Sequence, residues 1–215
     1  LNQKEVALRA AKQLGKNYNE CNLIVCHVGG GLSIAAHKKG KIVDGNDVLN
    51  GDGPISPNRT GYVPVLPIVK MCYSGKYTLD EMKNKVSKTG GLLGLVGTDN
   101  MLEIKDRIKN GDEWADLVYR AFAYNLAKYI GSYACVLEGQ VDAIVMTGGV
   151  SNDVDFIANV MKYAGWIGKF IVLAGDFEME ALASGAIRAL DGEEELLEYT
   201  GVPVWTHFDF EPADE

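Results

Sequence analysis

The sequence predicts an α/β domain with a mixed sheet, a β-hairpin start and flanking helices. Three observations predict it. The stretch Ile24 to Asp44 reads as strand, glycine turn, strand, tight turn, strand. Residues 112 to 138 read as one long helix with a broad apolar face. Val141 to Thr147 is an apolar strand that runs into Gly148-Gly149 and a helix start. Strands that alternate with helices after an initial hairpin make an α/β layer architecture.

Taken in order, residues 2 to 15 form an amphipathic helix with Asn2 as N-cap, Glu5 three residues on, and Gly15 as terminator. The hairpin follows. Residues 45 to 62 are rich in Gly, Pro, Asn and Asp and read as a long loop, a length usually reserved for function. Pro64 to Tyr73 and Thr78 to Lys88 are helical, the second opened by a Thr78/Glu81 capping box. Gly90 to Gly97 reads as a buried glycine-rich turn, and Asp99 as the cap of a helix ending near Asn110-Gly111.

In the long helix, Leu117, Val118, Ala121, Phe122, Leu126, Ile130, Ala134 and Leu137 suggest central burial, and Gly139 closes it. Ser151-Asn152 caps a helix from Asp153 to Tyr163. Phe170 to Ala174 is a strand, and Asp176 or Phe177 starts a helix in which Gly185 permits close packing. Val202 to Phe210 has the pattern of an added edge strand or docking segment.

Composition narrows the function classes. A chain of 215 residues, 47% apolar and 23% charged, can bury a core. Its net charge of -8 argues against non-specific nucleic-acid binding but leaves room for a locally positive anion site. No apolar run suggests a membrane partner, and no signal peptide opens the chain. The four cysteines form no C-x-x-C pair, and Cys26 and Cys135 read as core thiols, which suggests a reducing, cytoplasmic setting. The chain starts at Leu1 without Met, at a helix cap, and reads as a fragment of something longer.

The candidate chemistry starts at Gly29, Gly30 and Gly31. Three glycines at a strand end let backbone N–H groups approach an anion and permit the φ > 0 values of a nest. A plain turn is the competing reading. A dinucleotide fingerprint fits badly, because the third glycine is missing and a β-turn rather than a helix follows. Arg59 lies inside the long loop, where it reads as an anion clamp or as a solvated surface arginine. Gly90 to Gly97 lacks Gly-Lys-Ser/Thr and matches no P-loop. Gly148-Gly149 places backbone at the carboxyl end of a sheet, where open α/β folds bind ligands.

Together, CHVGGGLSIAAHKKGKIVD, GDGPISPNRTG, VDAIVMTGGVSN and DFEMEALASGAIRAL resemble the C-terminal half of the butyrate kinases. These belong to the acetate and butyrate kinase family, within the actin-like, sugar-kinase-like ATPases. The resemblance implies a ribonuclease H-like actin-like ATPase domain over residues 1–192 and a tail over 193–215. It implies phosphoryl transfer between ATP and a short-chain carboxylate, butyrate or a branched analogue, giving an acyl phosphate and ADP with Mg2+ as cofactor.

On the same basis His27 and Gly29 to Gly31 lie along a phosphate loop, and Arg59 stabilises the transferring group. Gly148 and Gly149, with Ser151 and Asn152, meet the nucleotide. Glu178 resembles the carboxylate near Mg2+, acting through water, with Asp176 and Glu180 as weaker stand-ins. A carboxylate substrate is already ionised at neutral pH, so His27 is expected to donate a hydrogen bond rather than act as a base.

Two departures stand out. Gly30 replaces the Asn usual in acetate kinases, which points to a butyrate-type branch with a roomier acyl site. Asn2-Gln3-Lys4 stands where acetate kinases carry a catalytic histidine, and Gln3 is assigned no role. The family's N-terminal half, with its own phosphate loop, a metal-binding Asp and part of the acyl pocket, is missing. The chain alone is therefore expected to bind nucleotide weakly and catalyse poorly. A homo-oligomer is implied as well. The alternative function is a non-catalytic ATP-binding or assembly module on the same fold.

Overall fold

The computed structural model describes residues 1–196 and 198–202. Strands β1 (Asn22–Val28), β2 (Leu32–Lys38), β3 (Lys41–Gly45), β4 (Ala143–Gly148) and β5 (Lys169–Ala174) form one sheet in the order β3-β2-β1-β4-β5. The first three strands pair antiparallel with one another, and His27 stands opposite Ser33 across the hairpin. β1 pairs parallel with β4, and β4 with β5. The carboxyl ends of β1, β4 and β5 therefore share one rim of the sheet. The mixed α/β fold is the one the sequence predicts.

Eight helices are described: α1 (Asn2–Gln13), α2 (Val65–Cys72), α3 (Leu79–Ser87), α4 (Gly91–Val96), α5 (Met101–Lys109), α6 (Glu113–Val136), α7 (Val154–Ala164) and α8 (Glu178–Leu190). Both sheet faces are covered, which is why β1 reads as a continuous apolar run rather than an alternation. Ile24, Cys26, Val28, Leu32 and Ile34 pack under α6 and α7. Leu23, Val25, Ala143, Val145 and Ile171 pack under α1. Each large apolar side chain fully buried this way contributes roughly 1.5–3 kcal/mol.

Several local expectations change. Leu1, not Asn2, occupies the N-cap position of α1, and Asn2 lies in the first turn. Gly90 to Gly97 is not a plain turn: Gly91–Val96 forms the short helix α4, closed by left-handed Gly97. Asn100 rather than Asp99 caps α5, its carboxamide oxygen accepting from the Leu102 and Glu103 N–H groups. Asp153, one residue beyond Ser151-Asn152, caps α7.

α6 is buried on one stripe only. Leu117, Ala121 and Cys135 lie on its exposed face, so Cys135 is no core thiol, while Cys26 is fully buried. At Gly185 a Cβ would meet only the Arg188 Nη2, at 3.7 Å, so no close packing requires that glycine. The pattern over 202–210 falls outside the described residues beyond Val202.

α8 docks on α1 through charge. The buried Glu5 carboxylate accepts from Ser184 Oγ at 2.6 Å and Arg9 Nε at 2.8 Å, with Arg188 Nη1 at 3.3 Å. Burial opposes this charge, but the bonds from Ser184, Arg9 and Arg188 outweigh it and hold the carboxyl below its ordinary range. Breaking such a half-sealed network exposes a buried charge.

His37 is fully buried on β2, between Tyr18 Oη at 2.8 Å and Gln3 Oε1 at 3.3 Å. Burial pushes it from its ordinary 6.5 down to about 4. Between those values the unfolded chain binds a proton that the folded chain does not. Stability is therefore full above pH 6.5 and falls as pH drops towards 4, by on the order of 3 kcal/mol. Thermal melts between pH 6.5 and 4.5 should show a falling midpoint, and a His37→Gln chain should lose most of that slope.

Candidate active site

The site is built where the three parallel strands end. After β1 the chain turns through Gly29, Gly30 and Gly31. The Gly29 N–H donates within the turn to Gly31 O at 3.0 Å. The Gly30 and Gly31 N–H groups have no acceptor among the described residues. None of the three glycines has positive φ, so the nest conformation expected from the sequence is not what selects them. Close approach selects them instead. A Cβ on Gly30 would lie 3.1 Å from Asn58 Nδ2, and one on Gly31 would lie 3.0 Å from Arg59 Nη1.

The loop between β3 and α2 comes down onto this turn. Gly30 O accepts from Ser56 Oγ at 2.8 Å and from the Asn58 N–H at 3.3 Å. The Arg59 guanidinium is half-buried against Gly31, and its Nη1 donates to Val48 O at 2.9 Å. Its Nε is buried without a partner, and among the described residues no carboxylate lies within 4.0 Å of it. Arg59 is thus not the solvated arginine of the competing reading.

Gly90 and Gly91 hold this loop rather than a ligand. The Leu92 and Leu93 N–H groups donate to Ser56 O and Pro57 O, at 3.2 and 2.9 Å. Gly91 has φ +60, and a Cβ there would lie 2.0 Å from Ser56 O.

His27 projects from the last turn-proximal position of β1 on the α1 face. Its Nδ1 lies 3.1 Å from Asn2 Nδ2, and its Nε2 lies 3.6 Å from Asp176 Oδ1. Asp176 is exposed and follows β5 through Gly175. Glu178 is exposed in the first turn of α8. Among the described residues no three His, Cys, Asp or Glu side chains gather as a metal cage.

On the far side of the turn a cleft of about 640 Å3 opens, lined by Gly29, Gly30, Asn100, Lys105, Gly149 and Asn152 among others. The two glycines after β4 differ in role. A Cβ on Gly148 (φ +85) would lie 2.4 Å from Val28 O, so Gly148 lets β4 approach β1. Gly149 has nothing within 4 Å and faces the cleft. Asn152 lines the cleft as well. Ser151 does not: it is buried, and its Oγ donates back to Thr147 O at 2.7 Å.

Lys105 is no free cation. Hydrogen bonds from its Nζ to Asp153 (2.6 Å) and Asp155 (2.8 Å) raise its pKa. Burial opposes the Asp153 charge, but Lys105 and Tyr119 outweigh it and hold that carboxyl low. The sequence reading placed the α5 helix, with Asp99 as its cap, but assigned neither Asn100 nor Lys105 to the cleft.

The sequence matches the model of the Acetokinase family over residues 2–184. Among solved structures, acetate kinase of Porphyromonas gingivalis superposes with TM-score 0.81 at 27% identity, over 88% of this chain and 54% of that one. A propionate kinase from Francisella tularensis subsp. tularensis SCHU S4 gives 0.73 at 28%, over 83% and 52%. Acetate kinase from Entamoeba histolytica, at 19% identity, shares the fold with TM-score 0.74, over 86% and 56%. The chain spans about half the length of these structures.

The two glycine classes can be separated by experiment. Gly97→Ala (φ +82, nothing within 4 Å) should cost about 1 kcal/mol from backbone strain alone. Gly91→Ala adds a backbone collision under Arg59 and should cost more than about 2 kcal/mol. Urea unfolding of both variants measures this. Equal losses would show that the approach of the loop carries no weight.

Proposed function

Because this chain belongs to the acetokinase family, we propose that residues 1–192 are the nucleotide-binding half of a two-domain carboxylate kinase. The reaction is phosphoryl transfer between ATP and a short-chain carboxylate, giving ADP and an acyl phosphate. The observation that carries this reading is Arg59: a half-buried guanidinium held against Gly31 and beside the Gly30 and Gly31 N–H groups, with no carboxylate partner for the one and no acceptor for the others among the described residues. In-line phosphoryl transfer requires positioning and charge stabilisation more than covalent help, and this arrangement supplies both.

In this reading the nucleoside lies in the cleft along Gly149 and Asn152, with Gly148 shaping the rim and Ser151 bracing it from behind. A cleft of about 640 Å3 is of the size that takes a small-molecule ligand. The phosphates run over Gly29 to Gly31 towards Arg59 and His27. Glu178, exposed in the first turn of α8, is the residue that would hold a nucleotide-bound Mg2+ through water, and the ion would supply neutralisation of phosphate charge.

Butyrate or a branched analogue is the proposed acceptor, by the resemblance of the motifs. The absent half completes the acyl pocket. We further propose a homo-oligomer in the cytoplasm. No described helix is long and apolar enough to cross a membrane.

Calorimetric titration with ATP·Mg2+ tests the reading. The chain should bind weakly, and Arg59→Ala should weaken binding at least about tenfold, the loss of one charge-assisted contact. Gly149→Val should reduce binding with little change in stability, since its side chain would enter the open cleft. A hydroxamate assay with acetate, propionate and butyrate ranks the acceptors. Absence of ATP binding in every form would remove the reading, and full enzyme rates from this chain would remove its half-enzyme part.

A further inference from the structure

The hydrogen bonds on the α1 face of the sheet have a forced direction. Gln3 Oε1 is a carbonyl oxygen, so His37 Nε2, 3.3 Å away, donates to it. Neutral His37 then offers its Nδ1 lone pair, and Tyr18 Oη donates into it at 2.8 Å. Gln3 Nε2 donates onward to Ser33 Oγ at 3.0 Å. That oxygen is engaged as an acceptor, so the Ser33 O–H is left to donate, and it meets no acceptor among the described residues. Ser33 is the cross-strand partner of His27.

His27 is fixed in the same manner. Asn2 Nδ2 lies 3.1 Å from His27 Nδ1. The Asn2 Oδ1 is buried without a partner, so it is the Asp176 charge beside Nε2 that selects this orientation, with Nδ2 donating to a lone pair on Nδ1 and the ring proton on Nε2. Nε2 faces the glycine turn, 3.2 Å from where a Cβ on Gly29 would sit. The Asp176 carboxylate at 3.6 Å is beyond a direct hydrogen bond, yet its charge favours a proton on Nε2 over a lone pair.

We propose that the first turn of α1 sets the proton positions beside the glycine turn. Asn2 and Gln3 are positioning residues that keep His27 Nε2–H and Ser33 Oγ–H as paired donors for an anionic group bound there. The inference rests on the kinase reading only for the identity of that anion. The opposite His27 tautomer would turn a lone pair towards a phosphoryl oxygen, and two negative ends would face each other.

The test is histidine 15N spectroscopy of the whole chain at pH 8, with His37→Gln and His207→Gln used to assign the signals of its three histidines. His27 and His37 should both show a proton on Nε2 and a lone pair on Nδ1. Asn2→Asp offers a carboxylate, which only accepts, and should move the His27 proton to Nδ1. Gln3→Glu should leave the His37 signal in place, remove the donor to Ser33, and weaken ATP·Mg2+ binding about tenfold.

A His27 proton on Nδ1 in the unaltered chain overturns the proposal, and so does an Asn2→Asp chain with an unmoved tautomer. Either of those results with ATP bound leaves the kinase reading standing. The expected tautomers without ATP binding in any form would support the positioning role and remove the kinase reading.

Discussion

The Gly30 carbonyl is the point from which the rest of the site is suspended. It accepts from the Ser56 hydroxyl and the Asn58 N–H, and these two bonds bring a loop without regular structure down onto a turn without side chains. Arg59 follows one residue later, and its guanidinium lies against Gly31. The loop is held at its other points by single polar anchors. Asn46 accepts from the Ile34 N–H at 2.7 Å and donates to Leu32 O, and Asn125 on α6 accepts from the Ile55 N–H at 2.9 Å. Gly90 and Gly91 then close in from below. A segment this long would otherwise be too costly in entropy to order, and here hydrogen bonds from side chains to backbone, with Ile55 packed against the core, fix it.

The charge distribution follows from the same arrangement. The chain carries a net charge of -8, yet the rim where its parallel strands end is not uniformly acidic. Lys105 is cancelled by Asp153 and Asp155 on the cleft wall. Arg59 has no such partner among the described residues. An anion that reaches the turn therefore meets one uncompensated guanidinium and two unpaired backbone N–H groups, in a setting where each counts for more than in water.

The strands were legible because their chemistry is local. The hairpin glycines, the Lys38-Lys39-Gly40 turn and the Thr78/Glu81 capping box announce themselves within a few residues. The reason for Gly29 to Gly31 was not legible. Positive φ and close approach select the same residue type, and only the position of Asn58 and Arg59, nearly thirty residues away in sequence, separates them. Gly90 and Gly91 were read as buried, which they are, but the partner they pack on, the Ser56 to Arg59 backbone, could not be read for the same reason. Ser151 looks like a cap or a ligand residue in sequence, yet its hydroxyl turns inward to Thr147 O. Arg59 stood out in the sequence because a long polar loop holding one arginine is unusual in a compact domain.

Asn2 and Gln3 show why the start of α1 misled. Asn is a residue type that favours N-caps, and its carboxamide is instead directed at His27 from inside the first turn. Gln3 reaches the opposite way, to Ser33 and His37. Neither side chain stabilises its own helix, a departure from local consistency of the kind that marks functional positions. A substrate that is already an anion needs no base to activate it. What a histidine can add is a dipole of fixed sign, oriented before the anion arrives. Orientation of that kind cannot be supplied by a ring free to exchange its proton between two nitrogens. It requires neighbours that favour one tautomer, here the Asn2 Nδ2 beside Nδ1 and the Asp176 carboxylate beside Nε2.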